Sequence, residues 1–592
     1  MKQHLTHTKG FWALLLLGIV LFSSCGDGGL VESKKKGDNT AVLHQLSDPD
    51  YLNPIISSSS NATYIEFDLF QPLLEIDPKT LQFVGALVID RPQISEINEG
   101  EYKGGMSLVY EIRPEATWDN GTPVTGNDVV FTIKSVKCPK VNSDPLRPYF
   151  EFINDIVVDA QNPKKFTIFS KQRYALAETA GNNFIIPEYV YDPQGLLKPF
   201  TIKQLTESTA AQKLANNPSI TAFAEQMNSP KYSREKGFII GSGPYQFVNW
   251  ETGQQIILER KKNWWGDKLN LPQLSGKPDK IVYKIINDWT TAVTGMKDEA
   301  LDCANGIRSS DFVDLQKNER FKKLFNLHTP TALAYDYLAF NLKNPKVNDK
   351  RVRRAIAHLV DKKEIIDVLL YGMGEPVVGP VHPTKEYYNK DLQNIEFDVE
   401  KAKALLKEAG WEDTDGDGVV DKEIDGKRTP MKLTVKYNSG NDRRKNICLL
   451  LKETAKRAGV EVEVLTREWT VFLDEQKKRD FDITCGGWVQ SPTLDDLKQI
   501  WHSESDTPEG SNFVGFGTPE SDRLIEAVRM ELDPAKQIEL FKQIQTIIHE
   551  EQPYVFLVSP KERIAIHSRF EAETSIKRPG YDEKTFVLKQ AQ

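Results

Sequence analysis

The residues from Phe481 to Trp488 combine an apolar strand, two glycines and an indole, in the order FDITCGGW. Glycines in a strand let another backbone approach closely, and a tryptophan offers a rigid apolar wall with one hydrogen-bond donor. These features suit binding. An extended ligand could pair with the main chain of the strand and place its side chains against the aromatic wall. The alternative interpretation is a buried strand end with a core tryptophan.

Motifs of hydrolytic enzymes are missing from this sequence. It contains no G-x-S-x-G turn and no H-E-x-x-H helix, and its nine histidines are scattered. Neighbouring acids such as Asp495 and Asp496 are commonly solvated or serve as helix caps. We therefore predict a protein that is not an enzyme, with a secreted hydrolase and a sensor or adhesin as the alternatives.

An acidic loop after Trp411 could bind a cation. Its sequence is DTDGDGVVDKEIDG, and the spacing of Asp413, Asp415, Asp417 and Asp421 follows the first nine positions of an EF-hand calcium loop. The twelfth position, which is normally a bidentate Glu, is Ile424. The sequence allows a Ca²⁺ site completed by a distant carboxylate, or an acidic hairpin loop without metal. No other motif requires a cofactor.

The size and charge of the chain limit its organisation and its partners. A chain of 592 residues is too long for one hydrophobic core, so two or three subdomains are expected. Hydrophobic residues make up 39% and charged residues 27%, and the net charge is -8. This acidic balance argues against nucleic acid or an anionic membrane face as a partner.

The N-terminus predicts an export signal over residues 1–24. Lys2 and Lys9 precede an apolar stretch, Phe11–Phe22, which is too short to span a bilayer as a helix. Small residues then lead to Cys25, as in a bacterial lipobox, so we predict a lipid-anchored, extracytoplasmic protein with residues 25–40 as a flexible tether. A plain secretory signal with an incidental Cys is the alternative. After removal of the signal, 74 basic and 84 acidic residues remain, which gives a net charge of -10.

The four cysteines that follow Cys25 are far apart and form no C-x-x-C pair. They are Cys138, Cys303, Cys448 and Cys485. Neither a zinc site nor a dense disulfide framework is indicated, and the sequence does not choose among the possible pairings.

The hydrophobic pattern predicts several further helices and strands besides the strand at Phe481 to Trp488. Met106 to Ile112 alternates as a strand, and Thr125 with Asp128 forms a capping box for a helix to Lys137. A strand at 431–437, a helix ending at Gly459 and a strand at 460–464 form a β-α-β unit, which implies parallel strands. Tyr554 to Val558 is a further strand. We assign it to the subdomain that the N-terminal part of the chain forms, which is called the first lobe from here on.

Five stretches of the chain resemble one protein family, the family 5 solute-binding proteins of ABC importers, which bind oligopeptides, dipeptides or nickel. The motifs are specific as a set and follow the family order. They are ATWDNGTPVTGNDVVFTIKS from Ala116, GSGPYQFVNWETGQQIILERKKNWWGD from Gly241, DKRVRRAIAHLVDKKEIIDVLLYGMGEPVVGPVHP from Asp349, FDVEKAKALLKEAGW from Phe397 and EWTVFLDEQKKRDFDITCGGWVQSPTLDDLKQIW from Glu468, which contains the strand with two glycines.

The resemblance implies a two-lobed α/β fold of the periplasmic-binding-protein type, with the lobes joined by a hinge. Residues 41–329 with 551–592 would form lobe I, with an extra subdomain at about 70–190, and residues 330–550 would form lobe II. The protein, expected to be a monomer, would close over its ligand and present the closed form to a membrane permease.

The resemblance also implies the ligand-binding residues. Trp469 and Trp488 would line side-chain pockets, Tyr149 would contact the ligand, and five consecutive residues would offer main-chain groups: Cys485, Gly486, Gly487, Trp488 and Val489. The peptide binders usually carry an Asp for the ligand's α-ammonium where this sequence has Ser491. Either Asp495 or Asp496 takes over that task, or the ligand has no free amine there. An oligopeptide is the first expectation, with an oligosaccharide or a nickel chelate as alternatives.

Overall fold

The computed structural model describes residues 37–57, 59–144, 146–206, 213–507 and 510–590. The predicted signal segment, Cys25 and most of the tether lie outside these ranges. Among the described residues, no helix has both the length and the apolar composition needed to cross a bilayer.

A seven-stranded mixed sheet forms the centre of the first lobe. The strand Thr40–Gln45 lies in its middle and pairs in parallel with Lys280–Ile285, from a distant part of the chain. Apolar residues alternate along these strands and pack into one large core. In spatial order the strands are Phe325–His328, Ile564–His567, Cys303–Ala304, Thr40–Gln45, Lys280–Ile285, Gln255–Arg260 and Tyr245–Glu251.

An antiparallel four-stranded sheet forms a separate layer where the extra subdomain was expected. The alternation predicted from Met106 gives the strand Met106–Glu111, and the predicted helix spans Gly126–Lys137. The main-chain N–H of Thr125 donates to Asp128 Oδ2 (2.8 Å), as the capping box requires. In spatial order the strands are Gln93–Glu96, Met106–Glu111, Lys165–Ser170 and Asp155–Val158.

A five-stranded sheet forms the second lobe and contains the predicted β-α-β unit. Lys432–Asn438 and Glu461–Arg467 pair in parallel, and the helix Asp442–Lys456 connects them. Apolar side chains of this helix and these strands share one core. In spatial order the strands are Glu461–Arg467, Lys432–Asn438, Ile483–Val489, Ala334–Phe340 and Tyr554–Phe556.

The remaining elements complete the two lobes. Helices of the first lobe are Ser60–Leu69, Ala177–Ala180, Glu188–Tyr191, Ile202–Thr206, Pro218–Met227, Lys231–Arg234, Trp289–Lys297, Ser309–Lys317 and Glu319–Leu324. Those of the second are Lys350–His358, Lys362–Glu364, the π-helical turn Ile365–Leu369, Val399–Glu408, Trp469–Lys477, Lys498–Trp501, Pro519–Met530 and Pro534–Glu551. Short two-stranded pairs are Leu74–Ile76 with Phe83–Gly85, Gly374–Pro376 with Val558–Pro560, Asp421–Ile424 with Lys427–Pro430, and Phe570–Glu571 with Val587–Leu588.

Near its C-terminus the chain returns from the second lobe to the first, at a later residue than we expected. The strand Tyr554–Phe556, which we assigned to the first lobe, pairs with Ala334–Phe340 in the second. The chain re-enters the first sheet at Ile564–His567. The assignment was wrong because an apolar strand carries no local mark of which sheet it joins. Thr331 and Lys561 pair as an isolated bridge. The two segments in which the chain crosses from one lobe to the other therefore lie side by side.

Candidate functional site

The strand Ile483–Val489 has one paired edge and one open edge. It pairs along its whole length with Ala334–Phe340. Within the described residues, its pairing with Lys432–Asn438 covers Ile483 and Thr484 and stops there. The main chain beyond Thr484 therefore has a free side, as the sequence predicted for a strand that pairs with a ligand.

Two hydrogen bonds at the ends of this strand fix which groups face the open edge. The Gln490 N–H donates to Leu333 O (2.8 Å), and the Asn341 N–H donates to Asp482 O (3.0 Å). Because hydrogen-bonded and outward-facing residues alternate in an antiparallel pair, the even-numbered residues face Ala334–Phe340. The N–H and C=O groups of Cys485, Gly487 and Val489 consequently point to the open edge.

The two glycines of the strand leave room for neighbours that a side chain would displace. A Cβ on Gly486 would lie 2.4 Å from the Tyr337 hydroxyl. A Cβ on Gly487 would lie 2.9 Å from Asp336 Oδ1 and 3.3 Å from Arg444 Nη2. Both glycines are thus required by close packing, and the second lets the Arg444 guanidinium approach the face of the strand.

Two cavities between the lobes share the end of this strand. The first, which we call the aromatic cavity, has a volume of about 320 Å³. The second, which we call the basic cavity, has a volume of about 240 Å³. The residues common to both are Tyr335, Trp488 and Val489. The indole of Trp488 stacks on Tyr337, with ring centroids 6.2 Å apart, and its Nε1–H donates to Tyr554 Oη (3.3 Å).

The aromatic cavity brings together most of the predicted side chains. Tyr149 and Tyr174 line it from the first lobe, and the predicted residues Trp488, Val489, Ser491 and Asp495 line it from the second. The Thr179 and Thr493 hydroxyls lie 3.0 Å apart across the lobes. These contacts place two separately predicted regions, 149 and 488–495, on one cavity.

Three predicted site residues line neither cavity: Trp469, Cys485 and Gly486. The main-chain N–H and C=O groups of Gly486 face Ala334–Phe340. The Trp469 side chain is half exposed, stacks on Phe472 with centroids 5.9 Å apart, and lines neither cavity. The Cys485 side chain is buried in the core of the second lobe. Only the main chain of Cys485 faces the open edge. All four cysteines of the described residues are free and buried.

The buried polar groups beside Ser491 form a closed network. The Lys385 ammonium donates to the main-chain oxygens of Ser491 and Thr493. The Tyr387 hydroxyl lies 2.9 Å from Asp495 Oδ2 and accepts from the Asp495 N–H (3.1 Å). Burial raises the pKa of Asp495, and the positive charge of Lys385 opposes that rise. The carboxylate of Asp495 is therefore already engaged by the protein.

The sequence analysis missed the basic cavity. Its cationic side chains come from chain segments far apart: Arg443, Arg444, Lys561, Arg563 and Arg578. Arg443 pairs with the buried Asp336, with Nε and Oδ2 2.8 Å apart. Burial lowers the pKa of Arg563 to about 10, and Arg443 adds to this effect. No local motif marks this cluster. The adjacent Arg443 and Arg444 at the start of a helix were its one sequence signal.

The acidic loop is partly assembled. Carboxylate oxygens of Asp413, Asp415 and Asp421 lie within 4.8 Å of one another, and Asp417 is outside this group. Asp413 accepts hydrogen bonds from the N–H groups of Gly416 (2.7 Å) and Gly418 (3.0 Å). Asp421 also pairs with Arg428 (2.7 Å). Three hard oxygen donors suit Ca²⁺, and the calcium site stays a prediction.

Two α/β lobes with cavities between them, at an open strand edge, define a two-lobed solute-binding protein. The family model for bacterial extracellular solute-binding proteins, family 5, matches residues 99–511. This chain belongs to that family.

Individual relatives agree with this assignment. The chain is similar to the oligopeptide-binding protein AppA of Bacillus subtilis, with 28% identity over 583 residues and 96% of each chain covered. It superposes on the structure of that AppA in complex with a nonapeptide with a TM-score of 0.70 and 26% identity, covering 94% of this chain and 100% of the other. The substrate-binding protein CtaP of Listeria monocytogenes shares the fold, with a TM-score of 0.72 and 21% identity, covering 93% of this chain and 99% of the other.

Proposed function

We propose that this protein is the substrate-binding component of an ABC importer and that its solute is an oligopeptide held between the two lobes. The observation that carries the proposal is the open edge at Cys485, Gly487 and Val489, between two cavities. An extended peptide adds to such an edge through main-chain hydrogen bonds, and alternate side chains enter the pockets on either side. The peptide ligands of its AppA relative support this choice over an oligosaccharide or a nickel chelate.

Ligand capture would work by closure of the lobes. The two chain crossings at Thr331 and Lys561 lie side by side, which suits a hinge. A ligand that contacts both lobes binds the closed form more tightly and shifts the population toward it. The membrane permease would recognise this closed form. No bond in the solute needs to break.

The anchor and compartment form part of the same proposal. Cys25, after the apolar stretch Phe11–Phe22, would carry the acyl chains that hold the protein to the extracytoplasmic side of a bacterial membrane. A Cys25→Ser variant should move the protein from the membrane fraction to the soluble fraction and lose labelling by radioactive palmitate. Unchanged labelling would rule out Cys25 as the acylated residue.

Retention of ligand from a peptide library is the first test. The purified protein is incubated with a mixed library, washed and analysed by native mass spectrometry. Intact peptides retained at one per chain support the proposal. Cleaved products would indicate an enzyme, and the absence of any retained ligand would favour a sensor or adhesin.

A single substitution tests the strand edge itself. Val489→Pro removes an N–H that faces the open edge, and Val489→Thr keeps that N–H with a β-branched side chain of similar shape. Loss of one main-chain hydrogen bond should weaken peptide binding about 10-fold in the proline variant. Isothermal titration should show near-normal affinity for the threonine variant. Equal affinities for the two variants would contradict pairing at this edge.

A further inference from the structure

The basic cavity has more positive than negative charge. Its lining contains five cationic side chains and two carboxylates, Asp336 and Glu562. Lys561 Nζ lies 4.0 Å from Glu375, outside the lining, so among the described residues two of the five cations, Arg444 and Arg563, have no carboxylate within 4.0 Å. Asp336 is taken by Arg443. The Glu562 carboxylate is 3.9 Å from Arg578 Nε. Cations gathered in a cleft with low-dielectric walls attract anionic ligands strongly.

One of these cations lies over the face of the strand at Gly487, a residue whose main-chain groups point to the open edge. Arg444 Nη1 donates to Asn438 Oδ1 (2.7 Å), and Nη2 lies 3.3 Å from the Cβ position of Gly487. Among the described residues Arg444 forms no carboxylate ion pair within 4.0 Å, so its charge is uncompensated at that range. A chain paired along the edge would pass directly beside this guanidinium, whose planar fork binds carboxylates well.

The aromatic cavity shows the opposite arrangement. Its described lining contains the carboxylates of Asp495 and Asp496 and no Lys or Arg. Each carboxylate has a cation of the protein next to it. Lys385 lies near the buried Asp495. Arg529 Nε lies 3.4 Å from Asp496 Oδ1. Neither carboxylate is therefore free to pair with the ammonium group of a ligand.

We propose, on the basis of the function above, that the solute is an anionic peptide whose acidic groups bind in the basic cavity, and that a free α-amine is not required for binding. The C-terminal carboxylate of a peptide supplies one negative charge. The two cations without a carboxylate partner, Arg444 and Arg563, exceed that one charge, so an acidic side chain is expected in addition. Lys385 and Arg529 supply the positive charges that a ligand ammonium would bring to the aromatic cavity.

The test uses matched peptides and isothermal titration at two salt concentrations. The reference is an alanine pentapeptide in which two residues are glutamate. Its partners replace both glutamates with glutamine, acetylate the N-terminus, or amidate the C-terminus. The glutamate peptide should bind at least 10-fold more tightly than the glutamine peptide, and higher salt should reduce this ratio. Acetylation should change Kd by less than about 3-fold. Amidation separates the contribution of the terminal carboxylate from that of the side chains.

A double variant locates the effect. Arg444→Gln with Arg578→Gln removes two charges from the basic cavity and should remove most of the preference for glutamate. The control is Arg523→Gln, which removes an exposed arginine that pairs with Glu520 and lines neither cavity. Circular dichroism and melting temperature establish that each variant is folded. A retained preference for glutamate in the folded double variant would overturn the assignment to this cavity.

The outcomes separate this inference from the proposed function. Equal binding of the glutamate and glutamine peptides, or a loss of 10-fold or more on acetylation, overturns the inference and leaves a peptide-binding protein. If no peptide binds, the function fails, and the cavity is tested alone by thermal shift with succinate against acetate. A larger stabilisation by the dianion, absent in the double variant, supports an anionic solute of another class. No difference between succinate and acetate overturns the inference.

Discussion

Position 491 holds a small, neutral side chain on the lining of the aromatic cavity. Ser491 and Thr493 form a hydroxyl pair, with their oxygens 3.0 Å apart, and Lys385 holds the main-chain oxygens of both residues. The Ser491 side chain is small and neutral, and both its hydroxyl and its main-chain oxygen have hydrogen-bond partners within the protein. We propose that the departure from the family pattern at this position changes which ligand charge the cavity favours.

Restoring a carboxylate at this position should change the specificity. In a Ser491→Asp variant the new carboxylate adds a third negative charge to the cavity without a new cation, so a free α-ammonium should be attracted there. We expect this variant to bind a free-amine peptide about 10-fold more tightly than the acetylated peptide, measured by isothermal titration. Ser491→Asn has the same shape without the charge and serves as the control. The same ratio in both variants would contradict this role for position 491.

Local sequence was sufficient for several residues of the site and insufficient for others. Trp488, Val489, Ser491 and Asp495 follow one another in the chain, so one motif places them on one cavity. Tyr149 lines the same cavity, and its predicted contact with ligand stays a prediction. Trp469 begins a helix after the outermost strand of the sheet, two strands away from Ile483–Val489, so its indole does not reach either cavity. Its predicted contact with ligand stays a prediction.

At the scale of elements, a half-buried capping box stabilises the start of the helix Gly126–Lys137. Asp128 accepts hydrogen bonds from the Thr125 N–H (2.8 Å) and from Trp118 Nε1 (3.2 Å). Burial raises the pKa of Asp128 to about 6. The same carboxylate thus joins the helix to the preceding turn and satisfies a buried indole.

Loss of this carboxylate should destabilise the extra layer of the first lobe. Asp128→Ala removes the acceptor of three donors, the Thr125 N–H, the Thr125 hydroxyl and the Trp118 Nε1–H, and should lower the free energy of unfolding by about 2 kcal/mol. The control, Asp144→Ala, removes an exposed carboxylate that pairs with Arg147 and should have an effect below about 0.5 kcal/mol. Urea denaturation followed by tryptophan fluorescence measures both. Equal effects would show that the capping box is not responsible.

The acidic loop is an element whose metal binding we propose from its three clustered carboxylates. A weak extracellular calcium site has a dissociation constant of about 1 mM, so 10 mM Ca²⁺ should stabilise the protein by about 1.4 kcal/mol. Differential scanning calorimetry should show a higher melting temperature with Ca²⁺ than with Mg²⁺. Asp413→Asn with Asp415→Asn should abolish the difference. Glu423→Gln, in the adjacent hairpin, is the control. An unchanged melting temperature with Ca²⁺ would contradict the site.

At the scale of the whole molecule, a buried acid cluster joins distant parts of the first lobe. Tyr283 lies between Asp68 and Glu583, with its hydroxyl 2.7 Å from Asp68 Oδ2 and in hydrogen-bond contact with Glu583 Oε1. The Tyr283 hydroxyl can donate a hydrogen bond to one of the two carboxyl groups but not to both. One of the two carboxyl groups is therefore protonated and donates to the hydroxyl oxygen. Burial raises the pKa of both acids, that of Glu583 to about 7.

This cluster should make stability depend on pH. In the folded protein Glu583 keeps its proton up to about pH 7, and in the unfolded chain it loses it near pH 4.5. The folded state therefore binds more protons in this window, and the stability from this group falls as pH rises through it. Glu583→Gln should flatten the dependence by up to about 3 kcal/mol between pH 4.5 and 7, in urea titrations at several pH values. The exposed Glu571→Gln is the control. Equal slopes for Glu583→Gln and wild type would contradict this origin.

The sequence by itself determined the local elements and the family. Helix caps such as Asp398, which accepts the Lys401 N–H (2.9 Å), and the parallel β-α-β unit follow from short-range rules. The motifs in family order indicated the two-lobed fold and the ligand strand. These features depend on residues near one another in the chain.

Tertiary structure alone decided which distant segments meet. It placed Thr40–Gln45 beside Lys280–Ile285, sent Tyr554–Phe556 to the second lobe, and gathered arginines from positions 443 to 578 around one cavity. The physical reason is that strand pairing and charge clustering depend on where buried surfaces meet. A strand's own residues specify that it will be buried, and its partner is chosen by the packing of the whole chain.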